Sequence, residues 1–115
     1  MITTEDVIAV KLDCIQLCKK MKDRPFIEKS FEDKETIGKF VHAIHKAEKR
    51  DGILDYGAIF LMTIEYKDGS TAGYHLNISN KERTPGLLAE LPGTTIGYRI
   101  SEEICNELRR IIYHG

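Results

Sequence analysis

A chain of 115 residues with 42% apolar and 30% charged side chains, nine Gly and three Pro, falls outside the disordered and fibrous classes and can bury one core without a metal or disulfide staple. Its 17 basic and 18 acidic side chains leave a net charge of -1, so no overall field draws nucleic acid or an anionic membrane to it. The expectation is a single domain over residues 1–115, with no nucleic-acid partner, no membrane span and no cofactor.

The first segment reads two ways. Ile8, Val10, Leu12 and Cys14 alternate as in a strand, whereas Val7, Val10, Cys14, Leu17 and Met21 fit a helix. Its β-branched run favours the strand. Lys11 and Asp13 cut the apolar stretch before it forms a signal core or a membrane-crossing segment. Three cysteines, Cys14, Cys18 and Cys105, are an odd number without a repeating spacing. They read as small buried hydrophobes in a reducing compartment, with no closed disulfide framework. Lys19, Lys20, Lys22 and Arg24 read as a solvated loop, followed by a short strand within Phe26 to Phe31.

From Asp33 to Arg50, the positions Ile37, Phe40, Val41, Ile44 and Ala47 recur at helical spacing, with Asp33 as cap, Lys46, Lys49 and Arg50 near the negative end, and Gly52 as the stop. Two hairpins follow. Ala58 to Tyr66 and Thr71 to Ile78 flank Lys67-Asp68-Gly69, a three-residue loop with Gly69 left-handed. That loop puts Phe60, Met62, Ile64 and Tyr66 on one face with Ala72, Tyr74, Leu76 and Ile78. Thr84-Pro85-Gly86 reads as a turn, and a second hairpin turns at Pro92-Gly93. It places Leu87, Ala89 and Leu91 with Thr94, Ile96, Tyr98 and Ile100 inside, and Leu88, Glu90, Thr95, Gly97 and Arg99 outside. A last helix starts at Ser101 and presents Ile104, Cys105, Leu108, Ile111 and Ile112 to the core, with Arg109 and Arg110 complementing its end. The fold class is α+β: an antiparallel sheet of hairpin meander and N-terminal strands, with two amphipathic helices packed on one face.

Several motifs stand in a fixed order: Phe31-Glu32-Asp33-Lys34-Glu35-Thr36-Ile37, Phe40, Ala43-Ile44 and Ala47, Gly52-Ile53-Leu54-Asp55, Tyr66-Lys67-Asp68-Gly69, Gly73-Tyr74-His75-Leu76-Asn77-Ile78, and Gly97-Tyr98-Arg99-Ile100-Ser101. In that order they resemble the YhfM-like domains, small proteins of Bacillus-type bacteria, over roughly residues 26 to 112. The resemblance implies the fold and offers no catalytic residues. Many of those relatives are exported lipoproteins, and this sequence has no signal or lipidation cysteine near its start. The expectation is therefore a cytoplasmic protein, or an extracytoplasmic one if an export signal has been trimmed. Many relatives also carry an aromatic at the place of Asn77 and a Thr-rich turn at the place of Leu91-Pro92-Gly93.

Chemistry-bearing constellations are sparse. His42 and His45 stand three apart on the first helix, His42 pointing away from its apolar stripe and His45 at the border, and read as a solvated pair. Glu102 and Glu103 read as partners of a helix dipole. No glycine-rich phosphate cradle precedes a helix, and the registers bury Tyr74 and Tyr98, which removes them as base-stacking platforms. The outer sheet face carries Ile59, Leu61, His75, Asn77, Leu88 and Arg99, a flat mixed patch suited to docking a protein partner or a second copy. The leading expectation is a non-catalytic binding or protein-interaction module. The alternatives are a small hydrolase or thiol enzyme with His75 as base, for which Cys14 is the candidate thiol although it reads first as a core residue, and an immunity- or inhibitor-like protein.

Overall fold

A computed structural model describes residues 3–50, 56–93 and 96–114. At the centre of its sheet, strands β4 (Phe60–Tyr66) and β5 (Thr71–Asn77) are joined through Lys67-Asp68-Gly69. The Gly69 N–H donates to the Tyr66 carbonyl at 3.0 Å, and Gly69 has a φ of +89°, a left-handed conformation that only glycine adopts freely. Asp68 steadies the turn by accepting from the Ser70 N–H and hydroxyl. The register is the one a three-residue loop dictates: Phe60 opposite Leu76, Met62 opposite Tyr74, Ile64 opposite Ala72. Phe60, Met62, Ile64, Tyr74 and Leu76 are accordingly buried, and Leu61, Thr63, His75 and Asn77 take the other face.

The first segment is a strand, β1 (Val7–Cys14), which pairs antiparallel with β4 on one side and with β2 (Glu28–Phe31) on the other. Two neighbours satisfy its backbone on both edges, which is what decides against the helical alternative. Val10, Leu12 and Cys14 point inward as expected, but Ile8 does not. The register shifts between Val7 and Ala9, and Ile8 is left 51% exposed, because a bulge inserts one residue and turns it out of the alternation.

A single helical turn, α1 (Gln16–Lys19), follows β1. It brings Cys14 and Cys18 to a Cα separation of 5.3 Å, and the two form a disulfide. That corrects the expectation of reduced cysteines. Four residues along an extended strand would separate the pair by about 13 Å, so the bridge depends on the chain coiling after Ile15. A loop this small stabilises by about 2 kcal/mol in the chain-entropy picture. Cys105 is a free, buried thiol, the core position expected of it.

Helix α2 (Lys34–Lys46) buries Ile37, Phe40, Val41 and Ala43, with Ile44 and Ala47 packed at the margin. The Asp33 carboxylate accepts from the Thr36 N–H at 2.9 Å, and that bond holds its pKa below the ordinary carboxylate value. The helix is shorter than its sequence pattern suggests. Ala47 is extended, and Glu48–Lys49 forms β3, opposite Arg99 and Tyr98; strand pairing wins over the helical propensity of the charged tail. Gly52, the expected stop, lies outside the described residues.

The strands β6 (Gly86–Glu90) and β7 (Gly97–Ile100) complete a seven-stranded sheet of order β2-β1-β4-β5-β6-β7-β3, antiparallel at every pairing. Gly86 begins β6 and is not part of a turn. Leu88 lies opposite Tyr98 and Ala89 opposite Gly97, one residue out of step with a two-residue loop at Pro92-Gly93. The other neighbour sets this register: Leu88 faces Leu76. Burying such a side chain stabilises by about 1.5–3 kcal/mol, more than a local turn preference can oppose. Leu88 is therefore inside the core, 2% exposed, while Leu87 and Ala89 share the face of Arg99. Tyr98 and Ile100 point inward as expected; Thr94 and Thr95 lie outside the described residues.

Helix α3 (Glu102–His114) starts with Ser101, whose hydroxyl accepts from the Ile104 N–H at a long 3.4 Å. Cys105, Leu108 and Ile112 are buried in one cluster with the buried residues of α2 and the inward rows of the sheet. Ring contacts Phe31–Phe40 at 5.3 Å and Phe60–Tyr113 at 6.2 Å tie these elements together. Arg109 departs from its expected place at the solvated helix end. It falls on the apolar stripe and is 2% exposed.

Candidate functional site

On the outer face, strand register lines up two cross-strand rows. One is Leu61, His75, Ala89 and Gly97; the other is Asn77, Leu87, Arg99 and Glu48. Leu61, His75, Asn77 and Arg99 thus stand on one face, as expected from the sequence. Leu88 does not belong to it. Ile59 is on that side, but is only 7% exposed.

The chain leading into β4 folds over part of this face. The Asn77 side chain holds it twice, accepting from the Ile59 N–H at 2.8 Å and donating to the Gly57 carbonyl at 2.6 Å. Gln16 accepts from the Ala58 N–H at 2.9 Å, and the Tyr56 hydroxyl bonds His75 Nδ1 at 2.7 Å. Asn77 is therefore a positioning residue. Asn77→Ala is expected to destabilise by about 1–2 kcal/mol, because a part-buried N–H and carbonyl lose their partners. Urea unfolding reads this, and the lead-in amides of Ala58 and Ile59 should lose hydrogen-exchange protection first. A variant with unchanged stability and protection would show that the clamp is idle.

His75 has the Tyr56 hydroxyl as its partner rather than a nucleophile. The Cys14 sulfur is bonded to Cys18, so it is no free thiolate beside that histidine. Cys105 is buried, its thiol donates to the Ile100 carbonyl, and burial pushes its pKa to about 11, so it stays protonated near neutral pH. Among the described residues, no group of three or more His, Cys, Asp or Glu side chains is placed to hold a metal ion.

On this face a shallow cleft of about 440 Å³ lies at the β7 end, between Arg50, Ile59, Asn77, Pro85, Leu87 and Arg99, a size at the low end for ligand sites. Arg50 follows β3, and its N–H donates to the Gly97 carbonyl at 2.9 Å. That bond continues the β3–β7 ladder by one residue and sets the Arg50 side chain on the same face as Arg99. Among the described residues, ion pairs form only at Lys11 with Asp13 and Glu28 and at Lys39 with Glu35. Among those residues, Arg50 and Arg99 have no carboxylate within that reach, and Glu48, the cross-strand neighbour of Arg99, forms no ion pair with it. The cleft thus combines an apolar floor of Ile59, Leu87 and Pro85 with two available guanidinium forks, the geometry that recognises carboxylate beside aliphatic side chains.

Sequence reasoning missed Arg50, which it placed in a helix, and Arg109. The signal for Arg109 was present. It stands four residues after Cys105 and three before Ile112, on the same stripe. Its guanidinium donates to the Ser79 carbonyl at 2.7 Å, to the Thr84 carbonyl and hydroxyl at 3.0 Å each, and to the Asn106 side-chain oxygen. Those bonds shape the loop between β5 and β6 that walls the cleft.

No helix among the described residues is long and apolar enough to cross a membrane. No curated protein and no solved structure matches the chain significantly. The family model described as YhfM protein matches residues 11–114, nearly the whole length and all of the sheet but the first half of β1, and the chain belongs to the YhfM family.

Proposed function

We propose that this domain is a non-catalytic binding module that docks an acidic, aliphatic-rich segment of another protein in the cleft between Arg50 and Arg99. One observation carries the reading: two guanidinium groups share one face beside an apolar floor, and among the described residues neither is in an ion pair. Two like charges on one face repel each other, and an acidic partner relieves that repulsion. An inhibitor- or immunity-like role is the same reading with an enzyme as the acidic partner. The Cys14–Cys18 disulfide supports an oxidising compartment, where such bonds persist.

A random peptide library selected on the wild-type domain, and counter-selected on Arg50→Glu/Arg99→Glu, tests the reading. Expected are peptides with Asp or Glu next to Leu or Ile, binding about tenfold more weakly after each charge reversal, since about 1.4 kcal/mol is tenfold. Leu61→Asp, on the same face beyond the cleft, should leave their binding unchanged. Peptides without acidic enrichment, or equal binding to the double variant, would remove the proposal. So would a concentration-dependent dimer abolished by the same charge reversals, which would assign the cleft to a second copy.

A further inference from the structure

We infer a second site, for a small oxyanion of the phosphate class, on the α3 side of the loop between β5 and β6. Its centre is Arg109, buried to 2% exposure. All four hydrogen bonds of this guanidinium go to neutral oxygens, on Ser79, Thr84 and Asn106, and no carboxylate stands within ion-pair distance among the described residues. Carbonyls solvate a buried cation but do not neutralise it, and a buried charge ordinarily has a counter-ion.

The space where that counter-ion fits is present. Arg109 lines a cavity of about 200 Å³ together with Arg83, Arg110, His114, Asn106 and Glu82. Arg83 and Arg110 likewise form no ion pair among the described residues, so three guanidinium groups surround the space against the single carboxylate of Glu82. The backbone is committed to this arrangement. Arg83 is a non-glycine residue with φ of 62°, held there as its N–H donates at 3.3 Å to the same Asn106 oxygen that serves Arg109. Left-handed conformations at such residues are costly and collect where a side chain has to be aimed. The cavity is small for a peptide and adequate for a tetrahedral anion held by the forks of Arg83 and Arg110, with Arg109 adding its charge and the single N–H that its four bonds leave over. It is distinct from the arginine cleft, which lies across the same loop, and neither assignment depends on the other.

Thermal unfolding in sodium phosphate, against sodium chloride at matched ionic strength, tests the site. Expected is a phosphate-specific rise of about 5 °C when phosphate exceeds its dissociation constant tenfold. The rise should vanish in Arg83→Ala/Arg110→Ala, whose side chains are at the surface and whose unfolding in chloride should stay close to wild type. Glycerol phosphate is the second arm: a larger rise than with phosphate assigns the site to a phosphomonoester, an equal or smaller one to the free ion. No rise beyond that in chloride, or a rise that survives in the double variant, would overturn the inference.

Discussion

Arg109→Ala is expected to lower the unfolding free energy by about 3–5 kcal/mol, read in urea or as a fall in Tm of roughly 15 °C. The size follows from what is left behind. The Ser79 and Thr84 carbonyls and the Asn106 oxygen, all part-buried, lose a charged donor. Arg109→Met fills the volume but leaves the same acceptors bare, so it should recover only the packing part. Arg109→Lys keeps the charge, yet a single ammonium cannot reach three separated acceptors at once, and about 2 kcal/mol should still be lost. Hydrogen exchange should show the loop between β5 and β6 opening before the sheet does. If Arg109→Ala unfolds within about 1 kcal/mol of wild type, a loss expected of an ordinary surface change, the guanidinium does not hold that loop.

How far the sequence discloses this architecture depends on what sets each register. The β4–β5 hairpin is legible because its turn chemistry and its hydrophobic alternation agree, and Gly69 makes both local. β6 is not. Its turn residues, Pro92-Gly93, suggest one register and its neighbour imposes another, so Leu88 passes from the expected docking face into the core. The Ile8 bulge and the Cys14–Cys18 bridge belong to the same class, since each arises where the chain departs from a regular period. Helix α2 is over-extended by its sequence pattern, because Glu48 and Lys49 suit a helix locally but pair with β7. Arg109 was hidden differently: charge placed it outside and spacing placed it inside, and only the polar loop facing it decides between the two.

The outer face shows the consequence for function. Parity alone put Leu61, His75, Asn77 and Arg99 together. It could not show that Tyr56 covers His75 or that Asn77 serves the backbone of Gly57 and Ile59. What remains available to a partner is the β7 end, where Arg50 arrives only because α2 stops early. The strand that shortened the helix thus supplies half of the proposed binding cleft.

Gly86→Ala should cost about 2–3 kcal/mol, although alanine is no worse than glycine in an ordinary strand. A Cβ on Gly86 would stand 2.7 Å from the Cys105 sulfur, 2.9 Å from the Asn77 carbonyl oxygen and 3.3 Å from Ile78 Cγ1. The sulfur belongs to a buried side chain of α3 and the oxygen to the backbone of β5, so neither yields as a surface side chain would. Cys105→Ala in the same chain relieves the first contact and leaves the second. The double variant should therefore be about 1 kcal/mol more stable than the sum of the single losses, a coupling typical of residues in direct contact. Strict additivity would mean that the strand moves and the helix does not. The glycine also bears on Arg109, one turn along α3 from Cys105. A helix pushed off β6 carries that guanidinium away from Ser79 and Thr84, so Gly86→Ala and Arg109→Ala should combine to less than their sum. The close approach at Gly86 and the clamp at Arg109 then act as one device that holds α3 against the loop between the two proposed sites.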